Sequence, residues 1–182
     1  MDDAIEHVFY SSEDHLIMVR PLKQADAHLL VDLFEHMGPD SRYLRFNLAL
    51  IDPDPKIIWE EAQRMATIDA EKEGAWLAFT DLPDQKNAPI GGVRYVRQDQ
   101  ETAEAALVVR DDMQGKGIGK GLLAFLADRA QEAGIKRLVA TIQRANRALL
   151  HILNNSPFQV TFESEGSYTT IVAELVKPAT IS

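Results

Sequence analysis

The sequence predicts a mixed α/β domain built on one largely antiparallel sheet, and three observations carry that expectation. Three apolar segments at the centre, residues 75–80, 89–98 and 102–109, are joined only by short polar turns, so they read as an antiparallel meander. Residues 104–142 read strand, helix, strand, a βαβ unit that sets two strands parallel with the helix across one face. The 182 residues, 46% hydrophobic and 26% charged, suit one globular domain that buries roughly 70% of its unfolded surface. A single domain over 1–182 is expected, with residues 1–14 read either as a flexible lead or as an extra N-terminal strand.

Residues 15–22, HLIMVRPL, read as the first strand, and Pro21 followed by Gln24, Ala25 and Asp26 marks a loop into a helix. That helix runs to about Met37. Its apolar residues Leu29, Leu30, Leu33, Phe34 and Met37 recur at three- and four-residue spacing and leave Asp32, Glu35 and His36 on the other side. Gly38-Pro39-Asp40 is expected to stop it, with 41–47 as a short connecting segment. Asp52-Pro53-Asp54-Pro55 then signals a second helix through Ile57, Ile58, Glu61, Ala62 and Met65, ending near Ile68. After the meander, Ile118, Leu122, Phe125, Leu126 and Ala130 share one stripe of a helix over 117–133 that Gly134 closes. A strand over 137–142, a short helix from Asn146 to about Leu153, and a hairpin of 158–165 with 169–176 complete the order.

With 19 Lys+Arg against 28 Asp+Glu the formal net charge is −9, which argues against a nucleic-acid binder because neutralising phosphates takes a basic face. The absence of Cys removes disulfides, thiolate metal sites and a Cys nucleophile, and fits a reducing compartment. Asp2, Asp3, Glu6, Glu13 and Asp14 stand where a secretory signal would carry basic and then apolar residues. The longest apolar run, 122–127, is far short of the roughly 20 residues of a membrane span. A cytoplasmic protein with no membrane anchor is therefore expected. The His residues at 7, 15, 28, 36 and 151 lack ligand spacing, so no metal is expected, and no G-x-S-x-G elbow supports a hydrolase.

The chemistry is concentrated in Met113-Gln114-Gly115-Lys116-Gly117-Ile118-Gly119-Lys120-Gly121, between a strand and the long helix. Alternate glycines leave consecutive amide N–H groups unobstructed. At a helix N-terminus, where the dipole is positive, such groups suit a phosphate, and Lys116 and Lys120 add charge. A glycine-rich turn with no ligand is the alternative. The dinucleotide pattern G-x-G-x-x-G fails in both registers, since Lys120 or Leu122 falls where the last Gly belongs. The G-x-x-x-x-G-K-[ST] pattern fails as well, because Lys120 stands five residues after Gly115 and no Ser or Thr follows.

What the segment resembles is the pyrophosphate loop of the GNAT superfamily of acyl-CoA-dependent N-acyltransferases, [Q/R]-x-x-G-x-[G/A], matched by Gln114, Gly117 and Gly119. The likeness continues through Asn146-Arg147-Ala148-Leu149-Leu150 to Pro157-Phe158, where the family usually has Gly-Phe. It implies the GNAT fold: a central, mixed, mostly antiparallel twisted sheet with a splayed parallel pair and flanking helices. It implies acetyl-CoA as cosubstrate, with backbone around Gln114, Gly115, Lys116, Gly117, Ile118, Gly119 and Lys120 on the pyrophosphate. Leu107, Val108 and Val109 would pair with the pantetheine arm, and the Asn146 side chain would touch it. As plain chemistry, Asn146 is equally an N-cap.

Transfer to an amine requires its proton to be removed, and a carboxylate near the thioester is the natural base. Glu104, in Ala103-Glu104-Ala105-Ala106-Leu107-Val108-Val109, resembles the general-base Glu of bacterial protein lysine acetyltransferases; Glu101 is a competitor, and a solvent-facing strand residue is the bland alternative. His151 stands where many members carry a Tyr general acid. A second likeness to those enzymes is Gly38-Pro39-Asp40-Ser41-Arg42-Tyr43-Leu44-Arg45-Phe46, close to S-x-x-S-x-Y-x-R-F with Gly38 in place of the first Ser, in the connection expected to wall the acceptor side. Tyr43, Arg45 and Phe46 are thus substrate-side candidates, with ordinary packing as the alternative. The expected reaction is acetyl transfer to a primary amine, a protein lysine being favoured by these likenesses. A small polyamine, amino sugar or amino acid is compatible with the negative charge. A CoA-sensing module without turnover is the non-enzyme reading. Exposed strands at the end of the chain would support a homodimer.

Overall fold

The computed structural model describes residues 4–46, 50 and 52–175. Among these, the strands are β1 His7–Tyr10, β2 Leu16–Pro21, β3 Glu73–Thr80, β4 Ala88–Arg97, β5 Thr102–Val109, β6 Arg137–Gln143, β7 Gln159–Glu165 and β8 Tyr168–Glu174. They form one sheet in the order β1-β2-β3-β4-β5-β6-β8-β7. The helices are α1 Ala27–Glu35, α2 Pro39–Phe46, α3 Pro55–Ala66, α4 Ile118–Glu132 and α5 Arg147–Asn154. The meander is present as β3-β4-β5, and β5-α4-β6 supplies the one parallel pair among the described residues, so the mixed, mostly antiparallel sheet is as expected. Residues 7–10 form the extra N-terminal strand, paired antiparallel with β2. Asn47 and Val176, where the connecting segment and the last strand were expected to end, lie outside the described residues.

The connection after α1 differs from expectation, because residues 39–46 are the helix α2 and not a loop. Pro39 ends nothing here. It sits at the first position of α2, where its missing N–H is one of those a helix leaves unpaired and its fixed φ suits helical geometry. Tertiary contacts then hold α2 in place. Arg42 donates from Nε and Nη2 to the Phe34 carbonyl at the end of α1, at 3.3 and 3.2 Å, and its guanidinium lies 4.1 Å from the Phe34 ring centre. The Gly38 N–H donates to Asp111 Oδ2 at 2.8 Å, tying the α1–α2 corner to the loop that precedes α4.

The sheet separates two helical layers. Val93 and Tyr95 of β4 face a core made with Leu122, Phe125 and Leu126 of α4, while Leu77 and Phe79 of β3 meet Leu33 of α1 on the other side. Ile118, Leu122 and Leu126 are at most 1% exposed, and burying each such side chain is worth about 1.5–3 kcal/mol, which anchors α4 firmly beside β5. β4 carries a bulge: Phe79 pairs with Pro89 but Ala78 with Gly91, so Ile90 is the extra residue. Gly91 follows it at a point of close approach, where an added Cβ would stand 2.7 Å from the Val108 carbonyl oxygen of β5.

Candidate functional site

β5 and β6 begin as neighbours and then part. Their pairing covers only Thr102, Ala103 and Glu104 against Arg137, Leu138 and Val139, although β5 runs on to Val109 and β6 to Gln143. Beyond Glu104, therefore, β5 has a strand partner on its β4 side alone. The gap opens into a cleft of about 480 Å³, walled by the residues of β5 from Glu104 to Val109 and by Ala140, Thr141 and Ile142 of β6. α2 and α5 close its flanks, and Gln114, Gly115 and Gly119 lie at its mouth. From Glu104 to Val109 the strand takes five residue-to-residue steps, about 17 Å at ~3.3 Å each, a length suited to an extended ligand arm.

The mouth exposes backbone N–H groups. Gly115 and Gly117 have φ of +74° and +79°, a conformation that costs an L side chain roughly 1–2 kcal/mol. Gly117 is the N-cap of α4 and no side chain caps this helix, so the N–H groups of Ile118, Gly119 and Lys120 have no partner within it. An added Cβ at Gly115 would meet nothing within 4 Å, leaving its backbone open to a ligand. The other two glycines serve contact. A Cβ at Gly119 would lie 3.0 Å from Ile152 of α5, and one at Gly121 would lie 2.4 Å from the Phe9 ring of β1. Gly121 thus seats the N-terminal strand, a role the alternating pattern alone does not reveal.

Of the sequence candidates, Glu104, Leu107, Val108, Val109, Gln114, Gly115, Gly119, Asn146, Arg45 and Phe46 all line this one cleft. The Gln114 side chain braces its mouth, donating from Nε2 to the Val109 carbonyl at 3.0 Å and to Ser41 Oγ of α2 at 3.3 Å. Asn146 caps α5, accepting from the Leu149 N–H at 3.1 Å, while also bordering the cleft. Five candidates stand off the wall, among them Gly117, exposed at the N-cap of α4. Lys116 is paired at 2.5 Å with Glu13, whose carboxyl it holds below the usual range, and its carbonyl accepts from the Ser12 N–H at 2.9 Å. Ile118 is buried in the core, Lys120 is exposed, and Tyr43 is 42% exposed and away from the lining. Glu101 is engaged by Lys136, and His151 is exposed against Asn155, so neither lines the cleft.

Residue pairing across β4 and β5 decides what faces the α1–α3 layer. Glu104 lies opposite Val96, Ala106 opposite Arg94 and Val108 opposite Gly92, and Val108 packs with the α1 cluster, so Glu104, Arg94 and Val108 share the face covered by α1–α3. Arg94 pairs with Glu73 and reaches the Met65 carbonyl of α3 at 3.4 Å. Burial pushes the Glu73 carboxyl up, but the Asp69 N–H and the Arg94 guanidinium outweigh it and hold it below its ordinary value. Nothing local in the sequence marks this pair, since Glu73 and Arg94 become neighbours only when β3 and β4 align. Among the described residues no cluster of three or more His, Asp or Glu could hold a metal, and no helix is long and apolar enough to cross a membrane.

Comparison with known proteins agrees with this geometry. The model of the acetyltransferase (GNAT) family matches residues 41–153. The L-amino acid N-acyltransferase MnaT of Escherichia coli is 29% identical over 146 residues, 79% of this chain and 80% of the relative. The L-methionine sulfoximine/L-methionine sulfone acetyltransferase of Salmonella typhimurium is 26% identical over the same shares of the two chains. Among solved structures, the GNAT domain of S. lividans PAT superposes with a TM-score of 0.79 at 23% identity, covering 92% of this chain and 96% of that one. A cAMP-binding acyltransferase from Mycobacterium smegmatis superposes with a TM-score of 0.60 at 22% identity, this chain spanning 46% of its length.

Proposed function

The chain belongs to the acetyltransferase (GNAT) family, acyl-CoA-dependent N-acyltransferases, and from that premise we propose that it carries an acetyl group from acetyl-CoA to the amine of an amino acid, acting as one catalytic domain. The observation that carries this reading is the parting of β5 from β6 at Glu104, with the uncapped N-terminus of α4 at the mouth of the gap. The backbone of 114–120 holds the pyrophosphate, and its α4 amides meet a double negative charge at the positive end of a helix. The β5 edge from Leu107 to Val109 and the Asn146 side chain guide the arm, so that the thioester, which supplies the activated acetyl carbon, reaches the level of Glu104.

At that level Glu104 takes a proton from the incoming ammonium, directly or through one water, and the freed nitrogen pair attacks the thioester carbon. The carbon–sulfur bond breaks as the amide forms, and the second proton lost by the nitrogen passes through water to the departing thiolate, since His151 stands away from the cleft. Support for an amino-acid acceptor comes from the curated relatives, whose names state amino acids or their analogues. A protein lysine is the second reading. It is favoured by the likeness of 41–46 and of the Glu104 strand to protein acetyltransferases, with Arg45 and Phe46 on the acceptor wall.

A thermal-shift titration with acetyl-CoA, CoA, NAD and ATP, followed by CoA-release assays on amino acids and lysine peptides, tests this. Acetyl-CoA at about 100 times its Kd adds about 2.7 kcal/mol, a rise of roughly 5–10 °C, and NAD gives none. Binding without CoA release from any amine would turn the reading into a CoA sensor, and no shift with CoA would overturn it. In the same assay Gly117→Ala lowers stability by about 1 kcal/mol through its left-handed φ and weakens acetyl-CoA by mis-aiming the α4 amides.

A further inference from the structure

Arg45 is out of keeping with the other arginines of this fold. Every other buried or half-buried one among the described residues, Arg20, Arg42, Arg94, Arg97, Arg110 and Arg129, donates to a carboxylate or a carbonyl. Arg45 is half-buried in the cleft wall, yet among the described residues it makes no hydrogen bond and no ion pair. Its guanidinium lies 5.2 Å from the centre of its neighbour Phe46's ring, a contact that uses none of its donors. Burial lowers its pKa and the charge of Arg94 lowers it further, while Glu104 acts in the opposite sense. The group is therefore a cation with its donors unspent, close enough to Glu104 to feel its charge but making no ion pair with it.

A half-buried guanidinium left unpaired is costly, and a planar carboxylate is the partner that matches its fork. We propose that Arg45 binds the α-carboxylate of the acceptor while Glu104 receives its amine, so that the site selects free amino acids over amines that lack a neighbouring carboxylate. This rests on the reading of the acceptor as an amino acid. The two residues lie on the same side of β5, Arg45 on α2 and Glu104 at the last paired position, so a zwitterion placed between them meets each of its charges with the opposite one.

The test uses the full chain at saturating acetyl-CoA and follows CoA release with the standard L-amino acids, each beside its carboxamide, and with a lysine peptide. For those acids that are acetylated, kcat/KM exceeds that of the carboxamide by about 100-fold or more, the cost of an unmet buried charge. Arg45→Gln loses most of that factor against the acid, chiefly in KM, so the ratio of acid to carboxamide falls towards one. Arg45→Lys restores part of it, and an unaltered thermal shift with acetyl-CoA shows that the variants are folded. Carboxamides accepted as well as acids by the parent enzyme would overturn the assignment of Arg45 while leaving the amino-acid reading in place. Turnover of the peptide but of no free amino acid would overturn both. A preference for succinyl-CoA over acetyl-CoA that Arg45→Gln abolishes would place the carboxylate on the acyl group and equally overturn it.

Discussion

Glu104→Gln lowers kcat by about 10²–10⁴-fold at pH 7 with little change in the affinity for acetyl-CoA, because a positioned base contributes about that much and Gln has nearly the same shape without the basic oxygen. The loss depends on pH in a way that identifies its cause. The α-amine of a free amino acid, its ammonium stabilised by its own carboxylate, has a pKa of roughly 9–10, above the 7.7–8.0 of a chain terminus, so less than about one part in a hundred is neutral at pH 7; a lysine near 10.4 is neutral only to about four parts in ten thousand. The variant, lacking a base, must wait for amine that is already neutral, so its rate climbs as pH rises and the gap to the parent enzyme narrows towards pH 9.5. A stopped assay of kcat from pH 6 to 9.5 with both forms reads this directly. An unchanged rate and profile would remove Glu104 from the mechanism, and Glu101 would not replace it, being engaged by Lys136 outside the cleft.

Gly91→Val has the largest expected effect on the scaffold. The new Cβ would stand 2.7 Å from the Val108 carbonyl oxygen and 3.2 Å from Leu122 Cδ1. A backbone oxygen cannot swing aside as a side chain can, so β4 and β5 must separate, at a cost of about 2–4 kcal/mol and roughly 5–15 °C in Tm. Because Val108 belongs to the cleft wall, the folded remainder also binds acetyl-CoA more weakly. Leu126→Ala is the control. Leu126 is fully buried two turns beyond the open amides of α4, and its truncation costs a comparable 2–5 kcal/mol while sparing acetyl-CoA affinity. Calorimetric Tm values beside acetyl-CoA titrations separate the two variants; equal affinity losses in both would mean that the cleft merely follows global stability.

Much of the frame was legible in the chain. The β3-β4-β5 meander declares itself through alternation and polar turns, and α4 through its apolar stripe ending at Gly134, because those signals act within one element. The glycine loop was legible for a similar reason: positive φ at Gly115 and Gly117 is a local demand. α2 was hidden, since Gly38-Pro39 punctuates a chain in either sense. Only the Arg42 contact with the end of α1, the Asp111 bond to Gly38 and the Gln114 bond to Ser41 show which sense applies. The role of Gly121 was hidden as well, because Phe9, the residue that needs the space, lies more than a hundred positions away.

By itself, then, the sequence determined the order and type of most elements, the family-like glycine loop and the presence of a carboxylate on the strand that feeds it. Tertiary structure alone decided where β5 leaves β6, which side chains turn into the gap, and which charges are already spent. Glu101 and Lys116 are neutralised by Lys136 and Glu13, whereas Glu104 and Arg45 line the same cleft and make no ion pair with each other. The physical reason is range: backbone propensity and periodicity act over a turn or a strand. Partnership is settled by contacts such as Gln114 with Ser41, 73 residues apart, and Lys116 with Glu13, 103 apart, which exist only once the sheet has formed.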